Sequence, residues 1–225
     1  IIRHYKRKKI KFYQASSSEM FGKSKPPQNE KTLFLPRSVY SISKVFAYHS
    51  VVHYREAYNL HACNGILFNH ESPRRGVNFV TKKIVQGLVR IKDGKQKNLI
   101  LGNLYARRDW GHAKDYVESM WKILQYKTPD DFVISTNTSY SVKDFINICA
   151  KKLKINIYWK NKGLKEVGIN KDTKKIIKKV NKKYFRETEV DNLIGDYTKA
   201  RKKLKWKPKF SFENLVDDMI KNEKK

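Results

Sequence analysis

Short apolar segments alternate with amphipathic helical segments along the first two-thirds of this chain, and this alternation restricts its fold more than any other feature. Parallel strands are buried on both faces and need a crossover segment, usually a helix, between one strand and the next. The helix-length segments carry apolar residues every three or four positions, whereas the strand-length segments are short apolar runs between polar loops. The pattern predicts an α/β fold with a doubly wound, parallel sheet.

The same patterns give approximate bounds for the individual elements. The predicted strands span residues 9–16, 61–68, 98–102 and 131–136. The predicted helices span residues 37–60, 78–92, 111–126, 141–153, 196–204 and 211–224. Residues 160–183 are rich in lysine and poor in apolar side chains, so we predict an insertion or a mobile loop there.

Polar residues follow the first two predicted strands directly. Ser16, Ser17, Ser18 and Glu19 come after the first strand, and the segment NHESPRRG (69–76) comes after the second. Ligands of doubly wound sheets bind at the carboxyl ends of the strands, so both polar stretches are expected on one rim. Serines in such places are also common turn and cap residues, and the pattern alone leaves both roles open.

Tyr40 and Lys44 are four residues apart on a predicted helix and therefore share one face. An ammonium beside a phenol favours the phenolate, so a Tyr-x-x-x-Lys pair has the chemistry of a general acid and base. The spacing also arises by chance in many helices, where the tyrosine only packs on the surface.

The net charge of +29, from 50 Lys+Arg against 21 Asp+Glu, raises the question of a polyanionic partner. The basic residues are mostly lysines spread along the chain, and the basic runs at 6–11 and 171–183 contain no interleaved aromatic residues. No zinc-finger or RNA-recognition signature is present. We therefore predict a solvated basic surface and no nucleic-acid partner.

Other features of the sequence predict a compartment. Cys63 and Cys149 stand alone, without a second cysteine or histidines at ligand spacing, which predicts reduced core thiols and no metal site. No run of about 18 apolar residues is present, so no membrane span is expected. These features fit a reducing compartment such as the cytoplasm.

Five segments carry a more specific signal: QASSSEMFG, PRSVYSISK, NHESPRRG, RRDWGHAKDYV and YFRETEV. In content and order they resemble the extended short-chain dehydrogenase/reductase superfamily, and within it the GDP-mannose 4,6-dehydratase family along nearly the whole chain. The resemblance implies NADP as cofactor and conversion of GDP-mannose to GDP-4-keto-6-deoxy-mannose, with internal hydride transfer from C4 to C6.

The resemblance also implies residue roles. Tyr40, supported by Lys44, takes the proton from the sugar O4, and Glu19 removes the proton at C5. Water leaves from C6 with help from Glu19 and Ser17. Ser17 stands where the family usually has threonine, so the hydroxyl is kept and a methyl group is lost.

The remaining expected contacts are divided between cofactor and substrate. Tyr40, Lys44, His70 and Arg75 match positions that contact the cofactor. The positions that match substrate contacts are Asn69, Lys83, Arg108, Arg186 and Glu189. Arg74 and Arg107 remain open between a ligand contact and a surface ion pair.

One part of the expected pattern is absent from the sequence. No glycine-rich G-x-x-G-x-x-G or G-x-G-x-x-G turn occurs in the 225 residues, although a dinucleotide-binding fold uses such a turn to hold the pyrophosphate. We therefore expect the C-terminal part of a Rossmann-type domain, truncated at its N terminus and lacking the first βαβ unit. We also expect the isolated chain to be inactive and poorly folded.

The expected domain boundaries follow from this N-terminally truncated Rossmann-type architecture. Residues 1–76, with 111–137 returning to them, form the remainder of the dinucleotide-binding domain. Residues 77–110 and 138–225 form a smaller α/β substrate-binding lobe. The resemblance implies a homo-oligomer, a dimer or a tetramer, when the protein is full length.

Two alternatives remain open at this point. Another nucleotide-sugar enzyme of the superfamily, an epimerase or a 4-reductase, would share most of these residues. Glu19 near Ser17 favours dehydration, because removal of the C5 proton needs a base that a simple reductase lacks. A non-catalytic relative that binds RNA or another polyanion through its lysines is the second alternative.

Overall fold

The computed structural model describes residues 10–185 and 188–223. They form two compact units: unit 1 contains the described parts of 1–70, 108–139 and 190–209, and unit 2 those of 71–107, 140–189 and 210–225. Among these residues, every helix is too short or too polar to cross a lipid bilayer.

The elements of the described residues alternate as the sequence predicts. The strands are β1 (Lys11–Ser17), β2 (His61–Leu67), β3 (Asn69–Glu71), β4 (Leu99–Leu101), β5 (Arg107–Arg108), β6 (Trp110–His112), β7 (Asp131–Ile134), β8 (Tyr140–Ser141), β9 (Ile157–Lys160), β10 (Val167–Asn170) and β11 (Ile176–Val180). The helices are α1 (Val39–Tyr58), α2 (Val80–Lys92), α3 (Ala113–Gln125), α4 (Val142–Lys152), α5 (Thr198–Leu204) and α6 (Phe212–Glu223).

Unit 1 is built on a parallel sheet whose described strands lie in the order β1-β2-β7. The register pairs Ser17 with Leu67 and Leu67 with Ile134, so the three strands end at the same edge. This confirms that the polar stretches after β1 and β2 lie on one rim. β1 is at the edge of this sheet.

Both faces of the unit 1 sheet are buried. Leu67 and Phe132 pack with α3 and α5 on one face, in a cluster that contains Tyr116 and Trp206. Alternate residues, such as Ile66 and Val133, pack on the other face with Met20, Phe21, and the α1 side chains Val45 and Tyr48. Helices on both faces of a parallel sheet confirm the doubly wound α/β fold.

Unit 2 contains a mixed sheet in the order β4-β11-β10-β9, in which β11 runs parallel to β4 and antiparallel to β10. The helices α2, α4 and α6 pack against one another through buried side chains that include Ile84, Phe145 and Met219. Cys63 in unit 1 and Cys149 in unit 2 are buried and unpaired, as expected.

The structure corrects the prediction for residues 160–183. This segment is not an insertion or a mobile loop, because it supplies β10 and β11, the inner strands of the unit 2 sheet. Each strand has only four or five residues, and two of the five residues of β11 are lysines, so the apolar pattern is too weak for recognition.

The division into units also differs from the expected one. Residues 138–225 were expected to lie entirely in the second unit, whereas 190–209 pack with the first. The reason is that Ala200, Leu204 and Trp206 complete the core cluster beneath α3. The assignment of a cofactor role to one unit and a substrate role to the other stays a prediction.

Candidate functional site

The turn after β1 fixes the positions of Ser17 and Glu19. Ser17 ends the strand, and its Oγ accepts a hydrogen bond of 3.2 Å from the backbone N–H of Glu19, which caps a short 3-10 helix over Ser18–Met20. Met20 and Phe21 are fully buried and anchor this turn. The serine is therefore a structural cap, and the same turn leaves the half-buried Glu19 at the rim.

Gly22 makes the tight exit from this turn possible. Its φ is +51°, and a Cβ atom at this position would lie 1.8 Å from the carbonyl oxygen of Leu35. Only glycine combines this backbone conformation with such a close approach. The sequence SSSEMFG thus determines where the Glu19 backbone leaves the strand.

Helix α1 carries Tyr40 and Lys44 at its N-terminal end. A capping box between Ser38 and Ser41 begins the helix, so that Tyr40 lies in its first turn. Lys44 Nζ donates a hydrogen bond of 2.8 Å to the carbonyl oxygen of Ala15 on β1 and lies 5.7 Å from the centroid of the Tyr40 ring. Tyr40 is 55% exposed, so its phenol is accessible to a ligand.

A buried ionic network holds α1 on the sheet. Asp131 at the start of β7 accepts hydrogen bonds from Arg55 Nη1 and Nη2 at 2.8 and 2.7 Å and from Asn64 Nδ2 at 2.9 Å. Burial alone would raise the pKa of Asp131, but the hydrogen bonds from Arg55 and Asn64 outweigh it and hold this pKa below its ordinary value. Asn64 also accepts from Ser16 Oγ at 3.0 Å, which links the network to β1.

Asn69 and His70 follow β2, and their side chains differ in the contacts that they make within the protein. The Oδ1 atom of Asn69 is buried and has no hydrogen-bond partner among the described residues, so it is an acceptor available to a ligand. His70 stacks on Tyr116 with 4.9 Å between ring centroids, and its Nδ1 lies 3.0 Å from the carbonyl oxygen of Phe68, to which it donates. Packing already fixes the His70 ring.

Arg108 ends the short strand β5, and Asp109 lies between β5 and β6. Arg108 is buried, donates from Nη1 to the carbonyl oxygen of Val190 at 2.6 Å, and has its Nε 3.8 Å from Glu19 Oε1. Asp109 is fully buried and accepts from Thr136 N and Oγ1 at 2.8 and 2.7 Å. Burial raises the pKa of Asp109 to about 6, although the hydrogen bonds oppose the shift.

The sequence prediction missed Asp109. An aspartate beside two arginines looks like their ion-pair partner, and only the fold shows that it binds Thr136 and the backbone N–H of Gly195, at 3.3 Å, instead. The sole sequence signal was its place in the RRDWG segment.

The candidate residues of unit 2 are engaged within their own unit. Arg75 Nε lies 3.0 Å from Glu71 Oε2, and the guanidinium stacks 3.4 Å from the centroid of the Phe79 ring. Segment 69–76, which the sequence shows only as a polar stretch after β2, begins with a strand, since the almost fully buried Glu71 ends β3.

Lys83, on α2, has its Nζ 5.7 Å from the centroid of the Tyr184 ring. Glu189 is half-buried. Arg107 Nη1 lies 3.6 Å from Asp144 Oδ2 in an exposed ion pair, and Arg74 is exposed. Arg186 lies outside the described residues.

The structure thus brings together two groups in unit 1: Lys44 with Tyr40 at the end of β1, and Glu19 with Ser17 and Arg108. An accessible phenol and a fixed ammonium form a donor and acceptor pair that suits a polyhydroxyl ligand, such as the ribose of a nicotinamide cofactor. The residues present fit the nicotinamide end of such a cofactor.

Comparisons with known sequences agree on one family. The family profile described as GDP-mannose 4,6 dehydratase matches residues 1–219. The chain is 51% identical to "GDP-mannose 4,6 dehydratase" of Drosophila melanogaster over 95% of its length and 54% of the relative's. It is 53% identical to the Homo sapiens protein of the same name, covering 94% and 57%, and 48% identical to that of Vibrio cholerae, covering 95% and 60%. The chain therefore spans about half the length of these relatives.

Solved structures show the same fold at low sequence identity. "RMD from Pseudomonas aeruginosa complexed with NADPH" superposes with a TM-score of 0.80 at 16% identity, covering 99% of this chain and 70% of that one. The dTDP-glucose 4,6-dehydratase of Bacillus anthracis, in complex with NAD, superposes with a TM-score of 0.78 at 20% identity, covering 99% and 64%.

Proposed function

Because this chain belongs to the GDP-mannose 4,6 dehydratase family, we propose that the native protein, meaning the polypeptide that its gene encodes, converts GDP-mannose to GDP-4-keto-6-deoxy-mannose and water. The observation that carries the proposal is about 50% identity, over 94–95% of the chain, to relatives that bear this name. The arrangement of Lys44, Tyr40 and Glu19 at the end of β1 supports it.

The proposed cofactor is NADP. The two structural relatives above hold NADPH and NAD, which supports a nicotinamide cofactor, and the family resemblance favours NADP. Tyr40, Lys44, His70 and Arg75 are the residues proposed to hold it. When bound, the cofactor supplies a hydride acceptor that returns the hydride within one turnover.

Tyr40 is proposed to accept the O4 proton of the sugar as C4 is oxidised. Lys44 suits the supporting role, because its hydrogen bond to Ala15 fixes the ammonium near the Tyr40 ring. A positive charge at this place stabilises the phenolate form that accepts the proton. The proton then held by Tyr40 balances the one that C5 takes up when the product forms.

Glu19 is proposed to remove the proton at C5, which the 4-keto group has made acidic. The C6–O bond then breaks, and the departing hydroxyl takes the proton from Glu19 and leaves as water, with Ser17 donating a hydrogen bond. One water is lost, and the substrate undergoes no net oxidation. Ser17 is the N-cap of the short 3-10 helix after β1, and Glu19 lies two residues further on in its first turn.

Asn69, Lys83, Arg108, Arg186 and Glu189 are proposed to bind the nucleotide sugar. Arginine and lysine suit the diphosphate, whose oxygens accept charge-assisted hydrogen bonds. The buried Oδ1 of Asn69 suits a sugar hydroxyl, which would donate to it.

The test is product analysis of the native protein with NADP and GDP-mannose by NMR. We expect a 4-keto-6-deoxy product, and we expect Tyr40→Phe to slow its formation about a hundredfold or more, as loss of a general acid–base group does. Tyr54→Phe, an exposed tyrosine of the same helix, is the matched control and should leave the rate unchanged. An epimer, a 4-reduced sugar or unchanged GDP-mannose contradicts the proposal. Selective RNA binding at physiological salt without affinity for GDP-mannose favours the polyanion-binding alternative.

We also propose that the native protein is a homo-oligomer. Val39, Ile42 and Phe46 lie on one face of α1 and are 84%, 57% and 76% exposed, which is an unusual stripe for a monomer in water. The test is analytical ultracentrifugation of Phe46→Glu, with Leu164→Glu, which changes an exposed apolar residue outside α1, as the control. Dissociation by the first change alone supports the proposal, and a monomeric native protein contradicts it.

A further inference from the structure

The side chain of Arg75 is held on two sides within unit 2. Its Nε lies 3.0 Å from Glu71 Oε2, and its Cζ lies 3.4 Å from the centroid of the Phe79 ring. The planar guanidinium of an arginine can pair with a carboxylate along one edge and stack on an aromatic ring with one face. One edge and one face of the Arg75 guanidinium are therefore occupied by the protein itself.

Glu71 is in turn held between two regular elements. It ends β3, and its side chain is only 2% exposed. The same Oε2 atom accepts a hydrogen bond of 2.6 Å from Oγ1 of Thr81, a fully buried residue near the start of α2. Burial raises the pKa of Glu71, and the charge of Arg75 and the hydrogen bond from Thr81 oppose this shift. Glu71 thus connects β3, α2 and the arginine between them.

The backbone that carries Arg75 consists of two successive turns. The N–H of Arg75 donates to the carbonyl oxygen of Ser72 at 3.0 Å, and the N–H of Phe79 donates to that of Gly76 at 3.1 Å. A long arginine side chain loses rotamer freedom when it binds a ligand, and contacts that already hold it reduce this cost. Glu71 and Phe79 therefore preorganise the Arg75 side chain.

The terminal nitrogens of Arg75 are the part of the guanidinium left for a ligand. The side chain is 24% exposed, and neither Nη1 nor Nη2 makes a hydrogen bond to any of the described residues. A pair of guanidinium N–H groups matches the oxygens of a phosphate group. A nicotinamide dinucleotide carries such phosphates, which agrees with the cofactor contact proposed for Arg75.

We propose that Glu71 is a positioning residue for the cofactor, because it holds the Arg75 guanidinium in the orientation that binds a cofactor phosphate. The inference rests on the proposed function, in which Arg75 contacts the cofactor. It predicts that loss of the Glu71 carboxylate weakens NADP binding. A purely electrostatic effect has the opposite sign, because removing a negative charge strengthens the attraction of an anion.

The experiment measures the dissociation constant of NADP by calorimetry for the native protein, Glu71→Gln, Arg75→Met and the double variant. Arg75→Met should raise this constant about tenfold to a hundredfold, as loss of a charge-assisted contact does. Glu71→Gln keeps the shape of the side chain and should raise it about threefold to tenfold. In the Arg75→Met background, Glu71→Gln should change it by less than about twofold, because its effect passes through the guanidinium.

Controls separate this role from a structural one. Glu71→Gln should leave the dissociation constant of GDP within about twofold of the native value. Glu213→Gln, at an exposed glutamate of α6 in the same unit, should leave both dissociation constants unchanged.

A second variant covers the case in which Glu71→Gln does not fold, which thermal unfolding would show. Glu71→Asp keeps the charge and shortens the side chain by one methylene, so the carboxylate reaches Arg75 less well. It should raise the dissociation constant of NADP about twofold to fivefold, and only when Arg75 is present.

Two outcomes overturn the inference alone. One is NADP affinity that is unchanged or higher in Glu71→Gln, while Arg75→Met weakens it. The other is a loss of NADP affinity in Glu71→Gln that is equally large with and without the Arg75 guanidinium, which indicates a general structural defect. If Arg75→Met binds NADP normally, or the native protein does not bind NADP, the cofactor contact in the proposed function fails, and the inference fails with it.

Discussion

The two units each bury an ionisable group in a sheet, but only one unit gives that group partners. Asp131 in unit 1 accepts hydrogen bonds from Arg55, Asn64 and Tyr48. Lys178 in β11 of unit 2 is fully buried, and its Nζ has no hydrogen-bond partner among the described residues. Burial thus has opposite consequences in the two places, because an unpaired charge in a protein interior is costly and a well-paired one is tolerated.

The surroundings of Lys178 explain why it stays unpaired. The buried Glu166 already accepts from Lys143 Nζ at 2.7 Å and from Tyr105 Oη at 2.8 Å. Burial lowers the pKa of Lys178 to about 8, and the charge of Glu166 offsets this only in part. The buried charge of unit 1 is therefore compensated by its partners, whereas the buried cation of unit 2 is not and lowers the stability of that unit.

The largest expected effect on stability comes from removing the Asp131 carboxylate from the hydrogen-bond network of unit 1. Asp131→Ala leaves the guanidinium of Arg55 in a half-buried site without its carboxylate and should lower the free energy of unfolding by about 3–5 kcal/mol, measured in urea. Asp217→Ala, which breaks the exposed pair with Lys152 in unit 2, is the control and should cost less than about 1 kcal/mol. Equal costs at the two positions would contradict the distinction.

The second-largest expected effect on stability comes from removing the unpaired ammonium group of Lys178. Lys178→Met keeps the length of the side chain without its charge and should stabilise unit 2 by about 3 kcal/mol at pH 7, the free energy that corresponds to the lowered pKa. Lys179→Met, the adjacent and exposed lysine, should change stability by less than about 0.5 kcal/mol. Destabilisation by Lys178→Met would show that the ammonium has a partner.

The pH dependence of stability tests the destabilisation by the Lys178 ammonium without assuming that the side chains around a substituted residue stay in place. The pKa of Lys178 in the folded protein, about 8, lies below its ordinary value of 10.5, so the unfolded chain binds the proton more tightly. The resulting destabilisation is complete below pH 8 and disappears as the pH rises toward 10.5. The free energy of unfolding in urea, measured for the native protein and for Lys178→Met between about pH 7 and 11, gives a difference that should shrink as the pH rises. A difference that does not change with pH would refute the prediction.

The smallest expected effect on stability comes from removing the N-terminal capping box of one helix in each unit. Ser38→Ala and Ser141→Ala each remove a capping box, at the start of α1 and of α4, and each should cost about 1 kcal/mol in unfolding free energy. Only Ser38→Ala should also lower kcat, because Tyr40 lies in the first turn of α1. Equal losses of kcat would mean that the position of α1 does not determine that of Tyr40.

Much of unit 1 could be predicted from the sequence because its elements are long and strongly patterned. The apolar runs before Ser17 and Asn69 predict β1 and β2. Apolar residues at every third or fourth position around Tyr40 and Lys44 predict α1. The parallel orientation of the strands then followed from the alternation alone. The shared rim was a consequence of topology, which needs no knowledge of side-chain contacts.

Other features depend on tertiary contacts that no local pattern encodes. The two strands within 160–183 are short, and one of them, β11, contains Lys178, which is buried where composition predicts exposure. Asp109 pairs with Thr136 and with the backbone N–H of Gly195, both more than 25 residues away, so neither partner is visible in the neighbouring sequence. Isolated charged residues indicate a site, but the fold decides which of their neighbours they contact.

The most direct test of the account follows a single deuterium atom through the reaction. GDP-mannose deuterated at C4 is mixed with unlabelled substrate and converted by the native protein with NADP, and the product is analysed by NMR and mass spectrometry. The account predicts that deuterium moves to C6 of the same sugar molecule and that one water is lost. Deuterium retained at C4, or appearing on sugars that began unlabelled, would contradict internal hydride transfer and with it the roles proposed for Tyr40 and Glu19.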